Sequence, residues 1–250
     1  MTCEHSTPVS TAPGDIFATT HWTVVLAAGK RSTPQSDAAL EQLCKTYWFP
    51  LYAYARRRGY SKEDAEDLTQ GFFRQLLERR WLADVDRNKG RLRAFLITAF
   101  KRFMANEWRR ASAQKRGGGK IHLSLDTIFA ESRYAADATP QLTAEAMYDR
   151  QWALTLLDLT IRKLETEFAQ VGKSGEFAVL KNCLVAAHGA IEYDAVAAGL
   201  GIGAGAARVA VHRLRKQFRE LYRREVLQTL PPGAELEDEL RHLAKSLAAA

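Results

Sequence analysis

The chain has 250 residues, 46% of them hydrophobic, enough for one or two domains with real cores. Its net charge of +7 points to an acidic partner. One long uncharged run, residues 195–207, is broken by four glycines and too short to span a bilayer. Three cysteines (Cys3, Cys44, Cys183) form no CxxC pair, and the N-terminus shows no basic segment followed by an apolar one, so a cytoplasmic protein without a signal peptide is expected.

Residues 1–19 are rich in Thr, Ser and Pro up to Gly14 and are expected to be a disordered tail. A helical unit is expected over 20–112. Thr20 to Thr23 caps a short apolar turn or helix through Leu26. Two helices follow, Ala38–Tyr47 and Leu51–Arg58, separated where Pro50 breaks the pattern, with Gly59 closing the second. Ser61 reads as an N-cap with Asp64 three residues on. The helix it starts should reach about Arg80 and bury Ala65, Leu68, Phe72, Leu76 and Leu77. Its outer side opens with Glu63, Asp64, Glu66 and Asp67 against Lys62, an acidic face in a basic protein. Complementing the helix dipole would account for these acids, and so would a docking face for a cationic partner.

After the turn residues Asp86–Gly90, the stretch from Arg91 to Arg116 holds eight basic residues and one acid, Glu107, a local excess equal to that of the whole chain. Apolar residues recur at Leu92, Phe95, Leu96, Ala99, Phe100 and Phe103, so one face is dry. Lys101, Arg102, Asn106 and Arg109 fall on the other. Such a face is either a solvated basic surface or a site for a polyanion whose bases can be stacked or hydrogen-bonded.

The periodic pattern lapses over 113–143, where Gly117-Gly118-Gly119 marks a flexible linker. A second helical domain is expected over 144–230. Its first stripe is Ala153, Leu157, Ile161, Leu164 and Phe168, ending near Gly172, and its second is Phe177, Leu180 and Leu184. Tyr193 to Gly201 then reads as a short helix and tight turn before a basic amphipathic helix with Ala207, Val211, Leu214, Phe218 and Leu221 inward. From Arg208 to Arg224 that helix carries seven basic residues and one acid. Ala197, Gly201 and Ala207 have the spacing of a helix-turn-helix, with Gly203 as N-cap. An acidic C-terminal helix is expected over 231–250, folding back on the basic helix.

Enzyme readings find little support. Gly201-Ile-Gly-Ala-Gly-Ala206 fits a dinucleotide fingerprint, but the segment before it reads as helix rather than strand. The six histidines are scattered without an H-E-x-x-H pair, and no G-x-S-x-G or P-loop occurs. No catalytic, cofactor-binding or metal-ligating residues are assigned.

Asp64-Ala-Glu-Asp-Leu-Thr-Gln70, then R-A-F-L-I-T-A-F-K-R-F-M-A-N-E-W-R-R, a flexible gap and V-A-V-H-R-L-R-K together resemble bacterial RNA polymerase sigma factors. The likeness is closest to the small extracytoplasmic-function (ECF) group and covers roughly residues 40–116 and 152–224. It implies an all-α protein of two small helical domains joined by a flexible linker, monomeric when free. Its partners would be the β and β′ subunits of core RNA polymerase and promoter DNA, with an anti-sigma factor as a further candidate and no membrane or small-molecule substrate. By the resemblance, Asp64, Asp67, Leu68 and Gln70 contact core polymerase. Arg93, Lys101, Arg102, Asn106, Arg109 and Arg110 take the −10 element, with Asp86–Gly90 near a flipped base. Gly205, Ala206, Arg208, His212, Arg213, Arg215 and Lys216 take the −35 element. Gly71 stands where the family usually has Glu, Gly203-Ala204 where Ser/Thr and an acid are common, and Ala207 where Val is expected. The alternative is a free-standing helix-turn-helix regulator that acts without stable polymerase association.

Overall fold

The computed structural model describes residues 34–78, 90–113, 127–137, 141–187 and 189–248. Every regular element among them is helical, as the all-α expectation requires. The expected tail 1–19, the turn at 20–26, the Asp86–Lys89 loop and the glycine run lie outside the described residues.

Helix α1 spans Pro34–Arg57 without interruption, with Pro50 inside it. This corrects the expected break at Pro50. Proline lacks the N–H that would bond residue 46 and costs about 3 kcal/mol in a helix interior. The helix continues because burial on all sides outweighs that cost: Tyr47, Leu51, Tyr52, Ala53 and Ala55 are 0% exposed. Gly59, at φ +90°, ends it in a Schellman arrangement, with Gly59 N–H donating to Arg56 O and Tyr60 N–H to Ala55 O.

Helix α2, Lys62–Glu78, starts as the sequence predicts: Ser61 Oγ accepts from Asp64 N–H at 3.0 Å and donates to the Asp64 carboxylate at 2.9 Å. It buries Ala65, Phe72, Phe73 and Leu76, while Leu68 is only partly buried. Helix α3, Leu92–Ala113, lays Leu92, Leu96, Phe100 and Phe103 against it. Phe72 meets Phe100 and Phe103 edge-on at 5.3 and 5.9 Å. Gly71 acquires a physical reason here, since a Cβ at this position would stand 3.2 Å from the Phe103 ring.

Part of the expected linker is structured. Helix α4, Thr127–Asp137, is strapped to α1 by Glu131, which accepts from Arg56 at 2.7 and 3.1 Å and from the Tyr52 hydroxyl. Arg133 stacks over Phe49 at 4.2 Å.

Helix α5, Ala144–Gln170, is capped by Thr143 and joins two buried clusters. Its first half places Met147, Tyr148 and Trp152 in the core of α1–α3, with Trp152 stacked on Tyr47 at 4.3 Å. Its second half places Leu164 in a smaller core with α6 (Ser174–Leu180), a 3-10 turn over Lys181–Leu184, α7 (Tyr193–Leu200) and α8 (Ala204–Gln228). The tethered two-domain layout did not anticipate this, because the two cores share one continuous helix rather than meeting across residues 113–143. Helix α9, Leu236–Ala248, folds back as expected, but onto α5 and the end of α8 within the first core. There the Leu92 N–H also donates to Thr229 O at 3.0 Å.

Candidate nucleic-acid and partner-binding faces

On α2, Asp64 is exposed and Asp67 and Leu68 are half-buried, so these three reach the surface. Gln70 differs from these three: it is 3% exposed and buried in the core. Burial raises the Glu66 carboxyl above its ordinary range, with Lys62 opposing and Glu63, Asp67 and Glu131 reinforcing the shift.

The cations of α3 divide into two sets. Arg102, Asn106, Arg109 and Arg110 are exposed on the side away from Phe100 and Phe103, and Arg110 is held by Glu107 at 2.7 Å. Lys101 lies 5.5 Å from the Tyr54 ring centroid and bonds Glu145 of α5 at 2.7 Å. That bond raises the lysine's pKa against a smaller opposing effect of burial, and it lowers the pKa of Glu145. Beside them Tyr54, Arg58, Tyr60, Met104, Ala105 and Trp108 complete an open groove of about 490 Å³. Trp108 is 67% exposed. Sequence reasoning passed over it, although an aromatic among arginines, just beyond the dry stripe, was the available signal.

Arg93 does not belong to that face. Its side chain is 12% exposed, with Nη1 at 2.7 Å from Asp149 and Nε at 2.8 Å from Glu239, which is itself 1% exposed. Burial works against its charge, but the hydrogen bonds and fields of Glu239 and Asp149 outweigh it and raise the pKa. The Arg93 carbonyl accepts from Tyr148, and Arg91 also reaches Glu239, at 3.1 Å. Arg93 thus joins α3, α5 and α9, and its bonds to Glu239 and Asp149 hold its side chain within the fold rather than on the exposed face expected for it.

In the second core, α7 and α8 meet at 94° across a tight turn. Gly201 takes φ +65°, and Ile202 N–H closes the turn onto Ala197 O. Ala197 and Ala207 are buried at the crossing, and Gly203 caps α8 with extended backbone and no side chain. Gly205, Ala206, Arg208, His212, Arg213 and Lys216 are all exposed along one helix. Arg208 lies over the Tyr193 ring at 5.2 Å. Arg215 differs, being half-buried and donating to Cys183 O and Ala186 O at 2.9 and 2.7 Å, where it fastens α8 to the turn after α6.

Burial pushes the Cys44 thiol up to about 12 and raises that of Cys183, so neither is a reactive thiolate. No cluster of three or more metal-ligating side chains occurs among the described residues, and no single helix there is long and apolar enough to cross a membrane.

Residues 45–114, which run from within α1 to the end of α3, match the model of the sigma-70 region 2 family. The match covers 70 of the 250 residues, making this segment similar to sigma-70 region 2, and it supports an RNA polymerase sigma factor. No curated protein and no solved structure matches it. Sigma factors act in promoter recognition and melting with core RNA polymerase and promoter DNA, and they are not enzymes. The acid-fronted α2, the exposed cations of α3 and every groove residue except Glu145 fall inside the matched segment.

Proposed function

We propose that the chain is a promoter-specificity subunit of the ECF type, working in the cytoplasm. It docks on core polymerase through α2, engages the −10 element through α3, and reads the −35 element through a helix-turn-helix made of α7 and α8. The observation that carries this is the placement of Arg102, Asn106 and Arg109 on one exposed face beside the groove of Tyr54, Tyr60 and Trp108, all within region 2.

Melting requires bases to leave the stack, at a few kcal/mol each. An exposed indole and the arginines around it supply the compensating terms, since stacking on an aromatic contributes about 1–3 kcal/mol per base and the cations hold the strand's phosphates. On α2, Asp64, Asp67 and Leu68 offer two carboxylates and an apolar contact to a cationic partner surface. Arg208, His212, Arg213 and Lys216 offer α8 to the major groove, with the small Gly205 and Ala206 letting the helix start approach the backbone closely. The factor performs no covalent step; it supplies binding energy, and the polymerase carries out synthesis.

Run-off transcription with purified core polymerase on genomic fragments tests the reading. Discrete transcripts dependent on the factor are expected. DNA binding to a palindromic site without any transcript would instead support the free-standing regulator.

A further inference from the structure

Three carboxylates from the C-terminal half of the chain face cations of α3. Asp149 and Glu239 hold Arg93, and Glu145 holds Lys101. The two ends of this row differ in burial. Arg93 and Glu239 are 12% and 1% exposed and bonded from three helices, so they form a fixed anchor. Lys101 and Glu145 are 43% and 54% exposed, and both line the groove that also holds Tyr54 and Trp108. An exposed ion pair of this kind is weak and exchangeable, contributing little to stability.

We propose that Glu145 is an internal competitor for phosphate. In the free factor it occupies Lys101 at the mouth of the region 2 groove, and a nucleic-acid strand must displace it to gain that contact. The inference rests on the reading of α3 as a DNA face. Glu145 stands in the first turn of α5, where Thr143 caps the helix and the helix N-terminus favours a negative charge. Lys101 donates to it and keeps it ionised. The carboxylate is therefore positioned by the fold and retains its charge at neutral pH. Arg102 and Arg109 have no ion pair among the described residues and remain open to a strand. The free factor then meets nucleic acid with part of its cationic face already satisfied, which disfavours binding to DNA at large. A second consequence follows from position. Whatever shifts the first turn of α5, including docking on polymerase, returns Lys101 to the groove.

The test measures binding of the full chain to a fluorescein-labelled single-stranded 20-mer by anisotropy across a salt series. Glu145→Gln keeps the shape and removes the charge. It should bind about two- to five-fold tighter at low salt. The slope of log K against log salt should steepen by about 0.7, the signature of one more phosphate contact on a single strand. Asp158→Asn, on an exposed acid about 20 Å further along α5, controls for net charge and should leave the slope unchanged. In the double variant Lys101→Ala/Glu145→Gln both gains should vanish. Unchanged affinity and slope in Glu145→Gln, with Arg109→Ala still weakening binding, overturns the inference while leaving the DNA face intact. If Arg109→Ala and Glu145→Gln are both without effect, α3 is not the DNA face and the inference falls with that reading.

Discussion

Replacing Arg93 with Ala should unfold the protein more readily without touching the DNA face proposed for α3. The guanidinium bonds Asp149 and Glu239, and Glu239 is 1% exposed. Removing one partner of a buried ion pair costs about 3–5 kcal/mol, because the other charge is left without compensation in a poorly solvated place. Two features soften this here: Arg91 keeps a bond to Glu239, and Asp149 is partly solvated and also contacts His242 at 3.0 Å. A loss of about 2–4 kcal/mol is therefore expected, or a fall in melting temperature on the order of 10 °C for a chain of this size. Urea denaturation followed by circular dichroism gives the stability directly. Arg109→Ala is the reference. It should stay within about 0.5 kcal/mol of the parent while weakening binding to single-stranded DNA. An Arg93→Ala protein that melts with the parent, yet loses DNA affinity as Arg109→Ala does, would refute the assignment of Arg93 to the fold.

Two further outcomes are expected. Hydrogen bonds from Arg56, against burial, hold the Glu131 carboxyl below the usual range. Its contribution is therefore present above the ordinary carboxylate pKa and is lost as pH falls through the depressed value. Hydrogen exchange over residues 127–137 should become faster in that acidic window, and Glu131→Gln should remove the pH dependence; equal protection across the window would contradict it. On α8, Arg208→Ala should cost roughly 1–3 kcal/mol of promoter binding and relax selectivity at one position, whereas Arg215→Ala should lower stability by about 1–2 kcal/mol through its lost carbonyl bonds. Binding to −35 variants and thermal melts of both proteins separate the two effects, and an unaltered melt for Arg215→Ala would contradict its anchoring role.

Features fixed by neighbouring residues were legible in the sequence. Ser61 with Asp64, Gly59 after three arginines, and Gly201 between two helices each carry a local chemistry that permits few conformations. The dry stripe of α3 was readable for the same reason, because Leu92, Leu96, Phe100 and Phe103 recur at the helical period. Illegible features depend on partners far away in the chain. Pro50 breaks a helix by local rules, and only the enclosure of α1 by the rest of the fold overrides them. Arg93 and Arg109 look alike along the helix; what separates them is Asp149, 56 residues on, and Glu239, 146 residues on. Helix α4 follows a glycine run and shows little period of its own, and its strap to Arg56 crosses 75 residues. Gln70 belongs to a familiar motif, yet the packing of α2 turns it inward.

Association with core polymerase is the most direct measurement of the central claim. The full chain, titrated into RNA polymerase lacking its own initiation subunit and followed by size-exclusion chromatography, should co-elute with it. Asp64→Ala/Asp67→Ala should weaken the complex while leaving the melting temperature near that of the parent. A chain that elutes alone at every ratio, while remaining folded, would contradict the account.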